Sequence, residues 1–303
     1  MPFNIRVDLP AGLTSRPLRL EDATAVADLI AAEEQHDVGE VDTTVEDVVG
    51  DWQRPSYDLA SSTLGVFEEG RLVAYADLHS DDLGYTGVLP AERGRGLGTS
   101  LADWLEALAR ARGSRLLSTQ VPADGAADRL LAARGYRVRW SAWDLELPAG
   151  ATIDAQPLPP GYELRVAAAA DHETVWAVIE DAFSEWARPE RRPFADFGAL
   201  VWERPGHQPW HLRLVVDPAG EIVGATHVYL TGDAGYVARL AVRRDRRGLG
   251  LARAMLAEAF TRAREHGAVR CYLATDSRSG ALGLYEKVGM RVSSTWLNRA
   301  LDL

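Results

Sequence analysis

Two short segments of the chain concentrate glycines and arginines at a spacing that can do chemistry. They are "PAERGRGLGTSLADWLEALARARG" (90–113) and "RRDRRGLGLARAMLAEAFTRAREHG" (243–267). The first holds Arg93, Gly94, Arg95, Gly96 and Gly98; the second holds Arg247, Gly248, Leu249, Gly250, Leu251 and Ala252. Each runs straight into apolar residues at helical spacing. A helix N-terminus presents unpaired N–H groups and partial positive charge, so a strand–turn–helix can seat an anion. Glycine removes the Cβ that would hold the anion away from the backbone. Two familiar nucleotide seats are excluded. The triphosphate loop needs Gly-Lys-Ser/Thr, which both segments lack, and Thr99 and Arg253 stand where the dinucleotide fingerprint needs its third glycine.

The elements around the two segments repeat as well. Leu97, Leu101, Trp104, Leu105 and Leu108 mark one buried helix face after the first turn, and Leu251, Met255, Leu256 and Phe260 mark it after the second. Upstream, Gly12–Ile30 and Gly161–Ile179 share a strand–turn–helix plan 149 residues apart, with Asp22 and Asp171 placed to cap the helices. Hairpins turning at Gly70 and Gly220 follow. Beyond the glycine turns come a strand, a short helix and a last strand; 42 residues separate Arg93 from Gly135 and Arg247 from Gly289. This order predicts a mixed α/β fold made twice, over 1–147 and 161–303. Residues 148–160, with four prolines and no periodicity, read as a linker.

The 303 residues are 47% hydrophobic and 25% charged, enough for two packed cores. No leader-like or bilayer-length apolar run is visible, and the lone cysteine, Cys271, has no internal disulfide partner. A cytoplasmic protein with no membrane partner is expected. A net charge of -11 weighs against nucleic acid and suits a cationic partner such as an amine. His207 and His211 flank Pro209 without a third ligand, so no metal is expected. The acidic stretch Glu34–Asp51 reads as a solvated face.

"VLPAERGRGLGTSL" and "VRRDRRGLGLARAML" resemble the acyl-CoA-binding segment of the GNAT superfamily of N-acetyltransferases, Arg/Gln-x-x-Gly-x-Gly/Ala. "GALGLYEKVGMRV" (280–292) resembles that family's next helix, and the tandem layout is similar to that of mycothiol synthase and related double-domain acetyltransferases. The resemblance implies two tandem GNAT-like domains, each a mixed central sheet flanked by helices. It implies coenzyme A held by Val88, Arg93, Gly94, Arg95, Gly96 and Gly98 in the first copy. In the second it implies Leu240, Ala241, Val242, Arg247, Gly248, Leu249, Gly250, Leu251 and Ala252. Acetyl-CoA is then the co-substrate and a small-molecule primary amine the acceptor, in a monomer or homodimer.

Acetyl transfer needs a deprotonated amine, donors for the oxyanion and an acid for the departing thiolate. The resemblance gives Tyr285 the acid's place, whereas Leu131 at the matching position has no proton to give, so the second copy is expected to be catalytic and the first degenerate. For the base the candidates are Glu185 and Asp233, with Tyr236 and His227 on nearby strands, or a water relayed to one of them. Two other functions stay open: a non-catalytic acyl-CoA sensor and a protein amino-group acetyltransferase.

Overall fold

The computed structural model describes residues 5–80, 82–154, 157–186 and 190–303. The first half of the chain runs β1 (Leu13–Arg16), α1 (Ala23–Asp37), α2 (Val45–Trp52), α3 (Leu59–Ser62), β2 (Thr63–Glu68), β3 (Arg71–Ser80), β4 (Leu83–Val88), α4 (Leu97–Ala111), β5 (Leu116–Pro122), α5 (Ala126–Ala133) and β6 (Arg137–Leu147). The second runs β7 (Glu163–Val166), α6 (His172–Ser184), α7 (Phe194–Leu200), β8 (Leu212–Val216), β9 (Ile222–Thr231), β10 (Ala234–Val242), α8 (Leu251–Glu265), β11 (Arg270–Asp276), α9 (Leu282–Lys287) and β12 (Arg291–Asp302). The mixed α/β architecture read from the sequence is present in both halves.

Contacts divide the chain into two compact units, Met1–Ser141 with Thr295–Leu303, and Ala142–Ser294. In the first unit β1 to β5 lie side by side, antiparallel except for β4 and β5, and residues 296–302 of β12 pair antiparallel with β5. In the second unit β7 to β11 repeat this order, and residues 142–147 of β6 pair with β11. The compact units therefore differ from the sequence copies, because the later part of each copy's last strand, residues 142–147 of β6 and 295–302 of β12, is counted in the other unit. Residues 148–154 also carry fixed contacts: Ile153 is buried in the second unit's core, and Ala151 O accepts from Arg264.

Each sheet has a helix layer on both faces. Leu101, Leu105 and Leu108 of α4 pack against Val66, Val73 and Leu117, while α1 and α2 cover Phe67, Leu72 and Tyr75. In the second unit Leu256, Ala259 and Phe260 of α8 meet Val228, Val237 and Leu273, and α6 and α7 cover Leu214, Ala225 and Ala241. The start of each unit repeats in atomic detail. Arg16 makes a two-pronged bond to Asp22 (2.7 and 2.8 Å), as Arg165 does to Asp171 (2.6 and 3.0 Å). Asp22 and Asp171 do not cap α1 and α6 with their side chains. They accept the N–H groups of Arg19 and Ala168, because the paired arginine holds each carboxylate over the preceding turn.

Candidate active site

The glycine turns fold as their composition requires. Gly94, Gly96, Gly248 and Gly250 all have φ near +80°, where a side chain is strained, and Gly96 and Gly250 directly precede α4 and α8. Adjacent residues aside, no atom of the described residues lies within 4 Å of where a Cβ on Gly248 or Gly250 would stand. The N–H groups of Gly248, Leu249, Gly250, Leu251 and Ala252 donate to no other backbone carbonyl among the described residues. They form a concave row of donors at the positive end of α8.

A slot leads away from each turn because the strand before it parts from its parallel neighbour. β10 stays paired with β9 as far as Val242, with a bulge between Val237 and Arg239, but pairs with β11 only over Ala234–Val237. In the first unit β4 pairs with β3 up to Val88 and meets β5 only at Leu83↔Ser118. The N–H groups of Leu89 and Arg243 point back to Val73 O (3.0 Å) and Val223 O (2.8 Å). Strand alternation therefore turns the N–H groups of Val88 and Val242 the other way, into the slots.

The two slots then differ. In the first unit Glu33 Oε1 accepts the Val88 N–H at 2.9 Å, so that donor is already engaged. Burial pushes the Glu33 carboxyl up to about 7, against the pull of Arg93. Both arginines of this turn are also occupied, each by two carboxylates: Arg93 by Asp37 (2.6 and 2.8 Å) and Glu33 (3.3 Å), Arg95 by Glu68 (2.9 Å) and Glu92. Of the expected first-copy coenzyme residues, Val88, Arg93 and Arg95 are thus committed to internal partners, while Gly94 and Gly96 form the positive-φ turn and Gly98 lies in the first turn of α4.

In the second unit Glu185 is the one carboxylate among the described residues that holds Arg247, through two bonds of 2.9 and 2.7 Å, and Val242 O accepts from the same arginine at 3.2 Å. Arg244 has no ion-pair partner among the described residues. The structure therefore seats Glu185 on the turn's arginine. The hydrogen bond from Arg247 holds its carboxyl below the usual range, which suits a clamp and weakens a base. Asp233 lies in the exposed hairpin turn before β10, with its backbone carbonyl accepting from Val269 (2.8 Å). The glycine turn lies beyond the opposite end of that strand, so the structure does not bring Asp233 to it.

Tyr285 sits on α9 and is 9% exposed, packed in the core formed by α8, β10 and β11. Its hydroxyl makes no hydrogen bond among the described residues, and burial pushes its phenol up to about 12. Leu131, its counterpart, lines a crevice of the first unit with Thr86, Gly98, Thr119 and Leu130. His227 is fully buried on β9, 3.2 Å from Arg239; burial and that guanidinium hold it neutral. His207 and His211 stack edge to face, and no group among the described residues could hold a metal ion.

Glu33 and Asp77 escape a reading of the sequence. Asp77 lies buried on β3, accepting from the Tyr57 hydroxyl at 2.6 Å, and burial pushes its carboxyl up to about 6. The first unit thus carries a buried carboxylate on β3, Asp77, and a partly buried one, Glu33, against the end of β4. Glu34, read as solvated, accepts the Asp42 and Thr43 N–H groups and the Thr43 hydroxyl.

The model of the acetyltransferase (GNAT) family matches residues 26–136 and again 172–290, well over half of the chain. The chain belongs to that family, and it is a tandem of two GNAT repeats. It is similar to the crystal structure of a GCN5-related N-acetyltransferase from Sphaerobacter thermophilus, with a TM-score of 0.74, 28% identity and 97% of each chain covered. A tandem GNAT protein from the clavulanic acid biosynthesis pathway superposes with a TM-score of 0.71 at 18% identity, covering 96% of this chain and 98% of that one. N-myristoyltransferase from Saccharomyces cerevisiae, solved with myristoyl-CoA, superposes at 0.68 with 12% identity over 99% of this chain and 81% of that one. No curated protein matches the sequence. No helix among the described residues is long and apolar enough to cross a membrane.

Proposed function

We propose that the protein transfers an acetyl group from acetyl-CoA to a primary amine of a small molecule, with the chemistry in the second unit, and that it works in the cytoplasm. The observation that carries this reading is the open donor row at Gly248–Ala252, continuous with the released edge of β10. The coenzyme's diphosphate sits on that row, where helix dipole and free N–H groups favour negative charge. Its amide-bearing arm runs along β10 as an added strand does, satisfying the edge that β11 has left. This brings the thioester toward Tyr285, whose hydroxyl is free to donate to the sulfur as the C–S bond breaks. The amine attacks the thioester carbonyl, the oxyanion is met by strand N–H groups, and the amine's proton passes to water. Glu185 holds Arg247 in place rather than taking that proton.

Titration calorimetry with CoA, paired with thiol release from acetyl-CoA across an amine panel, tests the reading. Wild type binds CoA and releases thiol only when a suitable amine is present. Gly250→Val places a branched Cβ at a positive-φ position beside the donor row. It is expected to weaken CoA binding at least tenfold while the fold persists. Unchanged affinity in a folded variant sinks the phosphate assignment, and CoA binding without turnover on any amine makes the protein a sensor instead.

A further inference from the structure

We propose that Glu33 is a built-in plug of the first unit's coenzyme slot, a side chain that occupies the strand edge a CoA arm would need. The inference rests on the reading of the second unit as a CoA site. Four observations support it. Glu33 reaches from α1 to the β4 edge and takes the Val88 N–H at 2.9 Å, the donor that faces the slot. Its seat is made to measure, since a Cβ on Gly87 would stand 2.6 Å from Glu33 Oε2 and 2.5 Å from the Tyr75 ring. The same carboxylate and Asp37 draw Arg93 away from the turn. The second unit lacks both halves of the device. At the constant spacing of 149 that relates α1 to α6, Glu33 corresponds to Ala182, and Ala241 stands in place of Gly87 one residue before the slot-facing Val242.

The electrostatics act in the same direction. A carboxylate inside the slot repels an incoming diphosphate, and Arg93 and Arg95, the cations that would offset that repulsion, are already paired. The turn keeps its glycine geometry, so the first unit has retained the shape of a coenzyme site and filled it. Removing the plug therefore restores a site rather than creating one.

The number of CoA molecules bound per chain is the direct readout. Wild type is expected to bind one, Glu33→Ala two, and Glu33→Ala with Gly250→Val one again, with folding checked by circular dichroism and thermal unfolding. The reverse transplant, Ala182→Glu with Ala241→Gly, is expected to lower the affinity of the second unit at least tenfold. That arm decides the matter should Glu33→Ala not fold. Two equivalents bound by wild type overturn the proposal, as does one equivalent bound by folded Glu33→Ala. Lost turnover in Glu33→Ala at unchanged stoichiometry also overturns it, by making Glu33 a catalytic group of the first unit. No CoA on wild type but one on Glu33→Ala upholds the plug and removes the second-unit reading; none on either removes both.

Discussion

At the scale of single residues, the proposed transfer turns on the Tyr285 hydroxyl. With its phenol pushed up to about 12, Tyr285 stays protonated throughout the working range and does not hand its proton outright to a thiolate of pKa ~8.5. In the proposed transfer it would act by donating a hydrogen bond that strengthens as charge gathers on sulfur. Tyr285→Phe keeps the ring and its packing, so CoA affinity should change less than twofold while kcat falls by about 10²-fold. The thermal midpoint should hold within a degree or two, because the hydroxyl makes no hydrogen bond among the described residues. An undiminished kcat, where chemistry limits the rate, removes the donor role. Glu33 supplies a test with a definite sign. Its carboxyl lies at about 7 in the fold against 4.5 unperturbed, chiefly through burial, in a setting that includes Arg93, Asp37 and Tyr75. A group raised on folding gives stability that is whole below pH 4.5 and is lost as pH rises through 7. The drop in melting temperature between pH 5 and pH 8 should therefore be smaller in Glu33→Gln than in wild type. An equal drop in both means that Glu33 does not titrate as described. Neither Glu33 nor Asp77 stands out in the sequence. In "AAEEQHD" two adjacent glutamates look alike, and only the fold sends one to a strand edge and the other to a loop.

Among the elements, the glycine turns were legible and the strand partings were not. A turn's demand for positive φ is written in the residue type itself, and the apolar spacing of α4 and α8 in their own sequence. The point where β10 leaves β11 depends on a partner some thirty residues away, and the bulge after Val237 has no composition of its own. The same limit explains Glu185. Its distance from Arg247 in the chain hid a contact that the packing of α6 makes direct. That pair yields a prediction at this scale. The Arg247 and Glu185 side chains are 44% and 34% exposed, so breaking the pair should cost less than about 1 kcal/mol of stability. Glu185→Ala frees Arg247 and leaves the turn more positive, so CoA should bind several-fold tighter at low salt, with the gain fading as ionic strength rises. Turnover at saturating acetyl-CoA should stay within about threefold of wild type, well short of the ~10²–10⁴-fold that loss of a general base brings. A collapse of kcat with unchanged CoA affinity would return Glu185 to the base's role.

At the scale of the whole molecule, the repeat was legible but the compact units were not. Internal similarity shows where a pattern restarts; it cannot show which sheet a strand joins. Residues 295–303 come at the end of the second copy, yet they complete the first unit's core. Leu301 and Leu303 pack against its apolar cluster, and Leu303 N–H bonds Arg115 O at 3.0 Å. Arg299 pairs with buried Asp128 and donates to Tyr136 O at 2.9 Å. Cutting at 148–160 would therefore leave 1–147 without the end of β12 that pairs with β5, so the first copy should fold poorly alone. A chain ended at Ser294 makes the cleaner test. It exposes the hydrogen-bonding edge of β5, strips apolar cover and leaves Asp128 without its arginine, at a cost on the order of 3–5 kcal/mol. Against the ~5–15 kcal/mol that holds a domain, that loss should open the first unit locally or unfold it. Hydrogen exchange should then show protection falling in β5 and α4 while β9 and β10 keep theirs, and CoA should still bind with roughly wild-type affinity at the second unit's turn. Protection lost first from β9 and β10, or kept everywhere, means that the closing strand does not belong energetically to the first unit and that the repeat boundary at 148–160 divides the molecule after all.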